Sequence, residues 1–173
     1  NMEGDERRQF ILKLLAGSES PLSGTEIAGK CGVSRQIIVQ DIALLRATNK
    51  NILSTYRGYL LYRAEKDTKN FKRTFAVSRT DEQSQDELYT FVDCGGKVLD
   101  VTVMHEIYGA ITVDLILNNR VDVDDFTTRL FTTPAKPLKE LTGGNHMHTV
   151  EASSPEVFDR IEEQLKKKGY LIR

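Results

Sequence analysis

The 173-residue chain has no tryptophan, two cysteines, three histidines and four prolines. The two cysteines, Cys31 and Cys94, are too far apart for a Cys-x-x-Cys motif. They supply neither a disulfide framework nor a zinc ribbon or redox dithiol, and the expected setting is a reducing, cytoplasmic one. No apolar run approaches the roughly 18 residues that a membrane span needs, so that class is excluded. The first apolar stretch is short and follows Asp5, Glu6, Arg7 and Arg8, unlike a secretion signal. Gly-x-Gly-x-x-Gly, P-loop and Gly-x-Ser-x-Gly signatures are missing too, and no enzymatic activity is expected.

What is present is ordinary for a globular protein: 39% apolar and 28% charged residues. The length allows one large domain or two small ones. The net charge of −1 is unevenly spread. Residues 1–66 hold 10 Lys and Arg against 7 Asp and Glu, a net of +3, and the remainder holds 14 against 18, a net of −4. A basic first part and an acidic second part suggest two modules with different partners.

In the first module, residues 6–16 place Phe10, Ile11, Leu14 and Leu15 on one helical face, with Gly17 as the stop. Ser23-Gly24-Thr25-Glu26 reads as a capping box opening a short helix with Ile27 and Ala28 inward. Cys31-Gly32-Val33 is a tight turn, and Ser34 can cap a second helix over 35–47. Two short helices joined by a Gly turn form a helix-turn-helix pattern. Ile38, Ile42 and Leu45 face the core, which leaves Arg35, Gln36, Val39, Gln40 and Ala43 outside. Arg, Gln and a small aliphatic residue are side chains that read guanine, adenine and the thymine methyl in a major groove. The strand-like runs 52–56 and 59–62 follow, with Arg57-Gly58 as the expected hairpin turn. Three helices and a hairpin make a winged helix, with Lys50 and Asn51 leading into the wing and Arg57 at its tip for a phosphate or the minor groove. The candidate DNA-binding residues are Ser34, Arg35, Gln36, Val39, Gln40 and Arg57.

The run from Leu22-Ser23-Gly24 through Glu26-Ile27-Ala28, then Val33-Ser34-Arg35-Gln36-Ile37-Ile38-Val39-Gln40-Asp41-Ile42, Leu45-Arg46 and Arg57-Gly58-Tyr59 resembles the DNA-binding half of nicotinate-responsive transcriptional repressors.

Residues 2–63 are assigned to the winged helix, 64–73 to a linker and 74–173 to a second module. That module opens on a strand at 74–77. A capping box at Thr80-Asp81-Glu82-Gln83 starts a helix running to about Cys94, with Gly95-Gly96 as the stop. Residues 98–105 alternate, with Val98, Asp100, Thr102 and Met104 on one side and Leu99, Val101, Val103 and His105 on the other. A strand over 111–117 and a helix over 121–131, broken by Pro134 and Pro137, follow. A strand over 146–152, a helix opened by Ser153-Ser154-Pro155-Glu156 and a short strand at 170–172 complete the module. The order β-α-β-β-α-β-α-β predicts an α+β sandwich, with helices packed on a mostly antiparallel sheet.

His146 and His148 stand two apart on a strand, so both project from one face and can bite one metal ion. The preceding Gly143-Gly144 allows a small ligand to approach the backbone. The plainer alternative is a pair of surface histidines bonded to neighbours. Gly144-x-His146-x-His148-Thr149-x-Glu151-Ala152, Val103-x-His105-x-x-Tyr108-Gly109 and Asp86-Glu87-Leu88 resemble the ligand-binding domain of the same repressor family, called 3H after its histidines.

The resemblance implies a divalent transition metal (nickel, zinc or iron) held by His146, His148, Glu87 and a further histidine just before the helix. The family pattern Lys-His-(Thr/Ala)-Pro-Glu reads Ser78-Arg79-Thr80-Asp81-Glu82 here, and arginine cannot ligate a metal. Two arrangements stay open. Three protein ligands plus water or an effector carboxylate can hold an ion. Alternatively the metal is lost and Arg79 itself meets an anionic ligand. The candidate effector-binding residues are Arg79, His105, His146 and His148.

The leading expectation is a repressor of NAD salvage or nicotinate uptake genes, a homodimer on a pseudo-palindromic double-stranded operator, with nicotinate as its effector. The alternative keeps the DNA module and makes the metal the signal. A small metal-dependent hydrolase using Glu87 or Glu151 is a third possibility, disfavoured by the missing catalytic signatures.

Overall fold

Three helices and a hairpin make the first of two units into which this computed structural model divides, residues 1–66 and 67–173. The structure describes residues 2–48, 51–62, 70–132 and 144–172. Lys50, Arg63, the 64–69 part of the expected linker, Pro134, Pro137 and Gly143 lie outside the described residues.

In the first unit α1 (Gly4–Ala16), α2 (Gly24–Cys31) and α3 (Arg35–Thr48) close around Ile11, Leu15, Ile27, Ala28, Ile38, Ile42, Leu45 and Ile52. Ser23 caps α2 by accepting the Glu26 amide at 3.0 Å. Gly32, at φ +68, makes the left-handed turn between α2 and α3 that a residue with a Cβ enters only at a cost.

The hairpin β1 (Ile52–Thr55) and β2 (Gly58–Leu61) pairs Thr55 with Gly58, so its two turn residues are Tyr56 and Arg57 rather than the expected Arg57-Gly58. The correction has a steric cause. Gly58 lies against Leu22, where an added Cβ would meet the Leu22 carbonyl oxygen at 2.3 Å. Leu22 and Tyr59 exchange both backbone hydrogen bonds, at 2.9 and 2.7 Å. The glycine is therefore needed for a third, one-residue strand beside the wing, not for its tip.

The second unit runs β3 (Phe71–Ser78), a 3-10 turn at Asp81–Gln83, α4 (Ser84–Asp93), β4 (Lys97–His105), β5 (Gly109–Leu117), α5 (Arg120–Thr132), β6 (Asn145–Ala152) and α6 (Glu156–Lys168). Its four strands pair antiparallel in the order β5-β4-β6-β3. An isolated bridge between Val77 and Leu171 brings the C-terminal residues to the other side of β3. The fold is α+β with an antiparallel sheet, as the element order implied. Phe75, Val77, Phe91, Val98, Val101, Leu117, Val150, Phe158, Ile161 and Leu165 are among its buried residues.

Two expectations are corrected. Strand β3 begins at Phe71, inside the stretch read as linker. Its charged start misled: Arg73 spreads its guanidinium 4.9 Å from the Phe75 ring centroid and reaches Glu162 on α6 at 3.4 Å, so its stem covers apolar surface. The alternation of β4 also breaks. Its register against β6 steps from Val98↔Val150 to Thr102↔Met147, one residue more on β4 than on its partner. That bulge changes the parity, and Val98 is buried together with Val101 and Val103.

Candidate nucleic-acid interface and metal centre

On α3 the inward stripe is Ile38, Ile42 and Leu45, and Arg35, Gln36, Val39, Gln40 and Ala43 are all exposed. Ser34 is exposed as well, and its hydroxyl accepts the Ile37 amide at 3.3 Å, which caps the helix. Arg57, at the hairpin tip, is half-buried with its guanidinium 5.5 Å from the Tyr56 ring centroid.

One charged residue lies on the inner side of α3. The Asp41 carboxylate is buried and is met by Arg7 Nε at 2.5 Å, Arg7 Nη2 at 3.2 Å and Arg8 Nη1 at 3.2 Å. This clamp ties the candidate recognition helix to α1. Its sequence signal is a carboxylate three residues after Ile38 and four before Leu45, on a stripe that otherwise excludes charge.

In the second unit the first turn of α4 carries Glu87 to the histidines of β6. Glu87 is fully buried, and one of its carboxylate oxygens lies 3.0 Å from His146 Nε2 and 2.9 Å from His148 Nε2. One ligand atom from each of the three residues lies within 4.8 Å of the others. Each ring is anchored at its other nitrogen. His146 Nδ1 donates to the Gly144 carbonyl at 2.8 Å, and His148 Nδ1 donates to the Asp100 carbonyl at 2.7 Å. The second anchor comes from the bulge in β4, where the Asp100 side chain also accepts the Thr149 amide at 3.0 Å. Phe91 packs edge-on against His148, with ring centroids 5.4 Å apart.

These anchors decide the chemistry. A carbonyl only accepts, so each Nδ1 must carry a hydrogen. In the neutral ring Nε2 is then a lone pair, and both lone pairs point at the same carboxylate. Burial pushes the Glu87 carboxyl up, but the hydrogen bonds and charge of His146 and His148 outweigh it and hold it at about 2. An anionic carboxylate facing two lone pairs is stable only with a proton on each ring or a cation among the three. Two imidazoles and a carboxylate suit a divalent transition metal, and carbonyls on the outer nitrogens are the usual support for metal-bound histidines.

Comparisons with known proteins give the same two modules. A family described as an HTH domain matches residues 7–60, and the 3H domain family matches residues 72–173. The chain is 40% identical to the probable transcription repressor NiaR of Thermotoga maritima over 96% of its own length and 94% of that protein. It is 37% identical to the transcription repressor NadR of Bacillus subtilis, over 98% and 95% respectively. The chain belongs to the HTH–3H family of transcription repressors. A 3H repressor is a DNA-binding regulator rather than an enzyme. Among the described residues no helix is long and apolar enough to cross a membrane.

In this 3H repressor Arg79 sits beside the histidine cluster. Its side chain is 4% exposed, with Nε 3.5 Å from Glu87 and Nη1 3.7 Å from Asp81. Neither nitrogen makes a hydrogen bond. Sequence placed Arg79 near the site but gave no sign that its donors stay unused. The structure therefore brings together Arg79, Glu87, His146 and His148. His105 is engaged elsewhere: at the end of β4 its Nδ1 accepts the amides of Ile107 and Tyr108 at 3.1 and 3.2 Å, and its ring lies against Tyr108. Asp81 also lines a cavity of about 550 Å³ with Gln85, Thr128 and Phe131.

Proposed function

We propose that this 3H repressor binds its operator with an affinity set by nicotinate, and that Glu87, His146 and His148 hold a divalent transition metal as part of the effector site. The observation that carries the reading is the cluster itself: two histidines with their outer nitrogens fixed converge on one buried carboxylate. Nicotinate, an aromatic carboxylate, rests on the resemblance of the residues around this cluster to the 3H pattern. His105 is left to its turn.

On the DNA side, Arg35, Gln36, Val39 and Gln40 read bases, while Arg57 and the cap residue Ser34 meet the backbone. The active species is a two-fold dimer on a pseudo-palindromic site, because a single winged helix buries little DNA surface. Its contact lies in the acidic unit. Effector binding shifts the population between dimers with different recognition-helix spacing. The regulated genes belong to NAD salvage or nicotinate uptake. The reading in which the ion itself is the signal differs in one measurable respect.

The test follows binding of the full chain to a fragment of its own promoter by fluorescence anisotropy. Nicotinate and metal are added separately and together, after treatment with a chelator. Nicotinate is expected to change the apparent affinity, and only with metal present. A response to metal alone, unchanged by nicotinate, transfers the role of signal to the ion. No response to either ends the proposal.

A further inference from the structure

We infer that Arg79 makes this an anion-bridging metal site: a ligand carboxylate sits between the ion and the Arg79 guanidinium. The inference rests on the metal reading above and assigns what completes the shell. Three protein donors converge, Glu87, His146 and His148, and a tetrahedral ion takes four ligands. No fourth donor joins them among the described residues. Beside the cluster stands a guanidinium, buried to 4% exposure, whose Nε and Nη1 make no hydrogen bond. Its ion pairs to Glu87 at 3.5 Å and Asp81 at 3.7 Å do not satisfy these donors, and a buried charged donor without a hydrogen bond costs free energy. Natural interiors keep such groups only where something else satisfies them.

Charge points the same way. A divalent ion with Arg79 and Glu87 leaves two positive charges uncompensated inside the unit. Asp81 answers only in part, because it is 43% exposed and stands 3.7 Å from Nη1. An anion is needed, and it must accept hydrogen bonds from N–H groups while offering an oxygen to a metal. A carboxylate does both: one oxygen goes to the ion, and the other goes to the guanidinium, whose planar donors match it. Glu87 does not repel this ligand, because the ion stands between them.

The experiment uses the full chain, stripped of metal and loaded with cobalt(II), whose visible absorption reports its ligand shell. Nicotinate is titrated against parent, Arg79→Gln and Arg79→Lys, with nicotinamide as the same ring without the charge and inorganic phosphate as a different anion. Circular dichroism and a thermal melt check that each variant is folded. Nicotinate is expected to change the parent spectrum, and nicotinamide at the same concentration is not. Arg79→Gln should take up cobalt with the parent's stoichiometry but need about tenfold or more nicotinate, the loss of one charge-assisted bond. Arg79→Lys, which keeps the charge without the fork, should fall between. Equal response of parent and Arg79→Gln overturns the inference, as does equal response to nicotinamide. Nicotinate binding to the metal-stripped parent at the same concentration makes Arg79 sufficient alone and also overturns it. Tighter binding of phosphate than of nicotinate overturns the carboxylate assignment. A parent that takes up no cobalt removes the metal reading and this inference with it. Cobalt uptake without an Arg79 effect removes only the inference.

Discussion

Each unit holds a carboxylate buried to 2% exposure or less, Asp41 in the first and Glu87 in the second, and the two are treated differently. Asp41, in the DNA-binding unit, is met by three guanidinium nitrogens from Arg7 and Arg8. Neither arginine is left with a buried nitrogen lacking a partner. Glu87, in the 3H unit, is met by two histidines whose tautomers are fixed and by an arginine with donors to spare. The first arrangement is saturated and holds a helix in place. The second keeps unused bonding capacity in a dry interior, and that is the condition for a ligand. The candidate residues follow the same contrast: those proposed to read DNA are exposed on α3, and Arg79, Glu87, His146 and His148 are almost wholly buried. A duplex must be met at the surface, whereas a small ion or anion is bound tightly by excluding water.

The largest expected effect breaks the saturated carboxylate. Asp41→Ala leaves two partly buried arginines facing each other and should cost roughly 3 kcal/mol or more in a urea melt, with operator binding weakened in parallel. A loss below about 1 kcal/mol would make the clamp an ordinary surface pair. Metal tests the unsaturated one. Excess divalent metal at about a hundred times its dissociation constant should stabilise the chelated protein by about 2.7 kcal/mol. Glu87→Gln should erase that increment. If the variant keeps it, the ion lies elsewhere.

Gln36→Ala and Gln40→Ala should each relax base preference by roughly 1–3 kcal/mol in competition binding. Arg57→Ala should weaken all sequences alike and reduce the salt slope by about one. Identical behaviour of the two kinds of variant would dissolve the division between base reading and phosphate contact. Ser34→Ala should cost about 1 kcal/mol of stability through the lost cap, whether or not DNA is present. An effect seen only on DNA binding would leave Ser34 its backbone contact and remove the stabilising role of the cap.

The smallest effect is in alkali. Burial, then the hydrogen bond to Asp86, raises the Tyr170 hydroxyl to about 12. Its folded value lies above the usual value of about 10, so its contribution is complete below pH 10 and is lost as pH rises toward 12. Tyr170→Phe should lower stability at neutral pH, where the hydroxyl's contribution is complete, and flatten the profile across that window.

Much of this was legible before any coordinates. The outward face of α3 followed from helical period, because the inward stripe is apolar and the turn before it holds a glycine. Thr80 and Gln83 form both halves of the capping box read at 80–83. His146 and His148 share a face because a strand has a period of two. Other features were hidden. Arg73 looked like linker because its charge masks a stem lying on Phe75. Gly58 looked like a turn tip because its close neighbour, Leu22, is far away in sequence. The β4 bulge had no local mark, since Val98 and Val101 fit either parity until the register against β6 is known.

The sequence by itself determined which elements form, which side of α3 faces outward and that two histidines stand together on one strand. These are consequences of local backbone periods and caps, set by residues a few positions apart. Only the tertiary structure decided that Glu87, 59 positions before His146, would meet both rings. It also decided that the Asp100 carbonyl would fix the hydrogen of one imidazole, and that Arg79 would be buried with donors unspent. Those facts are electrostatic, and a buried charge is governed by what surrounds it in space rather than by its neighbours along the chain.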